Sequence, residues 1–397
     1  MKQVNRRRMA WLLLVAALTA LLPWPVLAQQ GGTLWEIETG GRVDAVAMSA
    51  DGSRVAIGAR DNLLRMLDSE GALLWQFETD NSILGVDLSA DGQWVAVAGE
   101  DRFVYLLDGN GQLLWQYKAQ RPMNNAAVAD DGSLVAATSL DRSFYILDGQ
   151  GNLILNESLG LDVEATAIYG KGEKARALIG SEDAYVRLFG RDGGKLLEMR
   201  VGYDVETLDV TPNGTRIIAG SVDGTATLLN GANGAAIWTY VIEGNPTIHS
   251  VAISSDASAV LLGADNGKAY LLDGDGQLLQ TFDRGKVVVS AVAITADGGL
   301  VAIGTSDNRA LVYDRFAAQT VYTRAATRRT IITWSIIGGI ALLVVGSVLA
   351  ARYTAFGRRT WEVHGARPRA LVHDIWRSRL SYFMIFPVRH RPSLSSW

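Results

Sequence analysis

Short apolar runs cut by turn residues recur along residues 32–317. In the stretch Ala72–Gly111 the runs LLWQF, ILGVDLS, QWVAVAG and RFVYLLD are separated by Asp80-Asn81, Asp91-Gly92, Glu100-Asp101 and Asp108-Gly109. Runs rich in β-branched, aromatic and leucine residues between such turns predict antiparallel hairpins. The pattern returns about every 40 residues, giving units 32–71, 72–111, 112–151, 152–193, 194–234, 235–276 and 277–317. A four-stranded unit of that period predicts one blade of a β-propeller. A single blade cannot bury both faces, whereas seven in a ring can, leaving only short edges. The expected fold is therefore all-β, a seven-bladed propeller over 29–317.

With the strands of a blade lettered a to d from the axis outward, TLWEIET (33–39) matches the d-type runs LLWQFET and LLWQYKA but precedes any a strand. The last unit ends after its c strand, ALVYD (310–314). Either 33–39 or QTVYT (319–323) supplies the missing outer strand. Dipeptides such as Asp91-Gly92 and Asn213-Gly214 mark the a–b turns. Asp61, Asp101, Asp141, Asp183, Asp223, Asp265 and Asp307 mark the b–c turns. Aspartate at such a place bonds its own backbone two residues on. A ring of cation ligands is the other reading. Trp35, Trp75, Trp115 and Trp238 share one place in strand d and are expected to pack between blades. Unit 152–193 is the least regular, with Lys171-Gly172 at the a–b turn and Gly190 where most other units have aspartate.

This body resembles WD-repeat propellers in VAMSADGSRVAIGARDNLLRMLD and pyrroloquinoline-quinone-type (PQQ-like) repeats in VYLLDGNGQLLWQYKA. The resemblance implies the fold. Because propellers serve many functions, it does not choose among them. The Gly-His pair usual in WD repeats is absent, and no calcium-ligand set of the quinone enzymes can be matched residue by residue.

Outside the repeats the pattern changes. Residues 1–28 read as a signal peptide: Lys2 and Arg6–Arg8, an apolar core, then Val26-Leu27-Ala28 before Gln29. An uncleaved anchor is the alternative. Residues 318–329 read as a stalk. Residues 330–351 are 22 uncharged residues. As a helix of roughly 33 Å they would cross a ~30 Å hydrocarbon core. Arg352, Arg358 and Arg359 follow, which places the propeller outside the cytoplasm and the basic tail 352–397 inside. ARPRALVHDIWRSRLSYFMIFPV (366–388) resembles the amino-terminal lead-in of ABC-type sugar transporter permeases, with Arg377, Arg379, Tyr382, Phe383 and Phe386 in the matching places. That resemblance implies a permease fusion cut short, or a docking segment for permease subunits. A basic helix lying on an anionic membrane is the plainer reading.

Charge sharpens the partner classes. Residues 29–329 hold 24 Lys and Arg against 39 Asp and Glu, while the tail holds 9 Arg against 2 acids. An acidic body argues against nucleic acid. Without cysteine, disulfides and thiol chemistry are excluded. No catalytic motif and no cofactor motif appears.

Candidate chemistry sits at the second residue of each a strand: Asp44, Leu84, Asn124, Glu164, Glu206, His249 and Ser290. Six are polar in otherwise apolar strands, and they should ring one axial mouth. Three carboxylates and an imidazole there suit a metal, a cation or a hydroxyl-rich ligand. A wet funnel would give the same pattern. The d–a loops with Arg121, Tyr203, Asn245, Asp283 and Arg284 are further candidates.

The expected function is an extracytoplasmic protein- or ligand-binding module accessory to an ABC-type transport system. The alternatives are a metal- or quinone-dependent enzyme using the funnel, and an envelope assembly scaffold.

Overall fold

The computed structural model describes residues 32–316, which form 28 strands and one 3-10 turn, Gly172–Lys174. The strands make seven four-stranded antiparallel sheets, each in simple a-b-c-d order. The fold is an all-β seven-bladed propeller. Blades 1 to 6 run 43–78, 83–118, 123–158, 163–200, 205–241 and 248–283. Blade 7 takes its a, b and c strands from Val289–Ile294, Leu300–Thr305 and Arg309–Asp314, and its d strand from the start of the chain, Gly32–Glu38. The 33–39 segment therefore closes the ring. It pairs antiparallel with Arg309–Asp314, from Gly32 opposite Asp314 to Glu38 opposite Arg309. Thr39 N–H donates to Asn308 O at 2.8 Å, and Arg309 bonds Glu36 at 2.8 Å. The segment 319–323, the signal-peptide region, the span 330–351 and the tail lie outside the described residues. Among the described residues no helix is long and apolar enough to cross a membrane.

The core consists of the seams between blades. Strands a to c are buried almost throughout, and valine, isoleucine, leucine and alanine from adjacent sheets interleave. Strand d is half wet, with alternate residues exposed. The tryptophans of strand d lie between blades as expected. Trp75 Nε1 donates to Gly109 O at 3.0 Å, Trp115 to Gly149 O at 3.1 Å and Trp238 to Gly274 O at 2.9 Å, each on the next blade. Gly111, at φ +83°, lies flat against the Trp75 ring, where an added Cβ would sit 2.7 Å from the indole. A side chain there would meet both steric and conformational penalties.

The b–c turns explain the recurring aspartates. Asp101 accepts the Phe103 N–H and the Tyr105 hydroxyl, and Asp141 does the same for Ser143 and Tyr145. Asp61 accepts from Gly40 N–H, Leu63 N–H and both arms of Arg65. In blade 6 the bonding position belongs to Asn266, not Asp265: Asn266 accepts Lys268 N–H and donates to Tyr270 Oη. These carboxylates bind their own turns, so the cation-ring reading of the b–c aspartates does not hold. Blade 4 departs from the others at its a–b turn. There the 3-10 turn replaces the Asp-Gly pair and Gly172 N–H bonds Asp131 of blade 3 at 2.8 Å.

Candidate functional site

An axial channel runs along the a strands. The rim carrying the d–a and b–c loops is called upper here, the other lower. The upper mouth, about 290 Å³, is lined by all seven residues of the predicted series together with Leu140.

The structure sorts the six polar residues into two groups. Asp44, Asn124 and Ser290 are consumed by neighbours. Asp44 lies between Arg42 at 2.6 Å and Arg60 at 2.5 Å. Asn124 donates to Val163 O of blade 4 and accepts the Thr138 hydroxyl at 2.7 Å. Ser290 donates to Val43 O of blade 1. These three tie strand a to what flanks it.

Glu164, Glu206 and His249, on consecutive blades 4, 5 and 6, bond one another instead. His249 Nδ1 stands 3.5 Å from Glu206 Oε1. The hydrogen bond with Glu206 is the main cause that pushes the Glu164 carboxyl far up, with burial adding to it. Burial also acts to raise Glu206, but hydrogen bonds from His249 and Glu164 outweigh it and hold the group low. Two like charges in contact cannot both ionise, so the pair keeps one proton, on Glu164. The mouth thus presents a proton-sharing carboxyl pair backed by an imidazole. It can accept hydrogen bonds from a cationic head or exchange them with hydroxyls. Among the described residues no three His, Asp or Glu side chains are grouped to hold a metal ion.

The lower half of the channel, about 260 Å³, holds two residues that pattern reading did not single out, Asp87 and Asp209. Both sit at the fifth place of strand a, in blades 2 and 5. Asp87 accepts its neighbour Leu88 N–H and, across the seam, Val128 N–H of blade 3 at 2.8 Å. Asp209 accepts Val210 N–H and Ile253 N–H of blade 6 at 2.9 Å. Burial raises Asp87 to about 6 and Asp209 to about 7, against the opposing pull of those N–H donors. The available signal was that ILGVDLS and VETLDVT share an aspartate where the other a strands carry alanine, in AVAMS and AAVAD for example.

Of the d–a loop candidates, Arg284 is a seam residue: it donates to Tyr313 Oη at 3.3 Å and approaches Glu36 at 3.7 Å. Asp283 accepts Gly285 N–H at 2.8 Å, and Asn245 adopts a left-handed turn conformation at φ +53°. Tyr203 is half exposed on the upper rim.

Residues 26–169 match the family model described as outer membrane protein assembly factor BamB, a PQQ-like repeat family. The match runs through blades 1 to 3 and into strand a of blade 4. No curated protein matches the chain.

Proposed function

We propose that this chain is an envelope protein-binding scaffold, a rigid disc that holds other proteins during assembly of the cell envelope. The observation that carries this reading is the match of residues 26–169 to an outer-membrane assembly factor family. The fold agrees with it. Seven sealed seams and the closing Gly32–Glu38 strand make a stiff platform, and its loops are gathered on two flat rims. Stiff platforms bind proteins without a large ordering cost. The exported location rests on the same family match, together with the signal sequence expected in residues 1–28. Accessory action at ABC-type permeases rests on residues 366–388 alone, and no feature of the propeller bears on it.

The test is chemical cross-linking of the full-length chain in its own cells, followed by identification of the adducts. Discrete adducts with envelope assembly proteins are expected. Adducts with permease subunits would transfer the reading to transport. A chain that forms no protein adduct at all would end the scaffold reading. A reporter fused after residue 316 should be active only outside the cytoplasm.

A further inference from the structure

Most exposed large apolar side chains of the disc fall into two sets, with Val241 at the end of the blade 5 d strand and Phe316 after the last strand outside both. One is a uniform band at the start of the d strands, such as Leu74, Leu114 and Leu279, spread around the whole ring. The other is confined to the upper rim over blades 3 to 5: Leu140 at 55% exposure, Leu161 at 43%, Tyr203 at 50% and Val222 at 41%. Repetition makes this second set informative. The b–c turn place of Leu140 and Val222 is filled in the other blades by Arg60, Glu100, Glu182, Asp265 and Ser306. The loop place of Leu161 and Tyr203 is filled ahead of blades 1 to 3 by Gly41, Asn81 and Arg121. Ahead of blades 6 and 7 that place holds Pro246, which is buried, and Val287, which is half-buried, so large apolar side chains stand exposed at these two rim positions in one sector alone among the described residues. A localised exposed patch of this kind marks an interaction surface.

The same sector is acidic. Leu140 leans over the mouth that holds Glu164 and Glu206, and Asp162, Glu182 and Asp204 lie in the loops beside the patch. Two cations of this sector are already bonded to its acids, Arg142 to Asp162 at 3.2 Å and Arg187 to Asp183. An anionic bilayer would be repelled here, whereas a basic side chain would be drawn into the mouth.

We infer that the upper rim over blades 3 to 5 is the docking surface for a protein segment carrying a Lys or Arg flanked by apolar residues, with the basic side chain entering the mouth at Glu164 and Glu206. This rests on the protein-binding reading above and gives it a place and a partner chemistry. Leu140, Leu161, Tyr203 and Val222 supply the apolar contact, with the tyrosine as its anchor. The Glu164–Glu206 pair supplies the charge.

The test places the photo-cross-linker p-benzoylphenylalanine, one position at a time, in the full-length chain in its own cells. Leu161 and Tyr203 probe the patch, Glu100 and Ser306 the same rim elsewhere, and Leu74 the outer band. All five sites are on the surface, and thermal melts confirm that each variant is folded. The expected result is a protein adduct from positions 161 and 203 at least about tenfold stronger than from the other three. It should fall about tenfold in a Glu164→Gln/Glu206→Gln background, a loss typical of an interface hot spot. The sequenced partner peptide should hold Lys or Arg beside apolar residues. Protein adducts strongest at 100, 306 or 74 would overturn this surface while leaving the scaffold reading standing. Lipid adducts at 161 and 203 would assign the sector to a bilayer and overturn it as well. An adduct indifferent to the double glutamine change, on a polar or acidic segment, would overturn the charge complementarity. Absence of protein adducts at all five positions would remove the scaffold reading along with the inference.

Discussion

The two halves of the axial channel carry the same functional group in opposite circumstances. In the lower half, Asp87 and Asp209 each spend both oxygens on backbone N–H groups, one of them on the next blade. In the upper half, Glu164 and Glu206 spend theirs on each other and on His249. A carboxylate bonded to backbone is part of the frame. A carboxylate bonded only to other side chains can exchange those partners for a ligand. The difference is one of partners, because both sets interrupt apolar a strands and both face the channel.

The largest effect expected of this contrast is on stability against pH. The folded-state values of Asp87 and Asp209 lie above the ordinary carboxyl range, at about 6 and about 7. The folded protein therefore holds protons that the unfolded chain has released. The contribution of these two groups must then fall as pH rises from about 4 through about 7, and the raised Glu164 carries the decline on toward about 9. Discounted for water in the channel, the two groups together should account for on the order of 3 kcal/mol. Urea unfolding at pH 4.5 and 7.5 reads this, and an Asp87→Asn/Asp209→Asn variant should show a flatter profile. Frame carboxylates held low, such as Asp91 and Asp131, act only below that window.

A slightly smaller loss is expected from Asp61→Ala, which strands the little-exposed Arg65 and two backbone donors. About 2 kcal/mol in denaturant midpoint analysis would fit a lost charged network. Tyr105→Phe removes a single hydroxyl bond to Asp101 and should cost about 1 kcal/mol. The smallest change in stability is expected at the upper mouth: Glu206→Gln should shift it by less than about 1 kcal/mol, since no backbone partner is lost. The same change should bring the Glu164 side-chain carbon signal, followed by NMR titration, back toward the ordinary glutamate range. A large destabilisation by Glu206→Gln, or a pH profile that rises from 4 to 7, would erase the distinction between frame and mouth.

Much of this was legible in the chain because repetition makes errors visible. The period gave the blade count, and the d-type run TLWEIET at the wrong end of the repeat was one of two candidates for the closing strand, beside 319–323, until its pairing with Arg309–Asp314 decided it. The series from Asp44 to Ser290 was correctly placed around one mouth. Which of its members were free was not legible. Asp44 is neutralised by Arg42 and Arg60, and Asn124 by Thr138; period assigns a height on the axis but not the neighbour that folds against it. The lower aspartates escaped notice for the same reason, since their decisive partners, Val128 and Ile253 N–H, are backbone groups about 40 residues away. In blade 6 the turn bond moved from Asp265 to Asn266, because two adjacent residues of similar chemistry compete for one geometry.

The pairing of Gly32 with Asp314 has a mechanical consequence. The described chain enters and leaves at one spot, low on the perimeter at blade 7, so anything joined to either end pulls on a single hinge-like attachment. The face above blades 3 to 5 lies across the diameter and on the opposite rim, so a load applied at the chain ends and a partner seated on that face would not compete for the same surface.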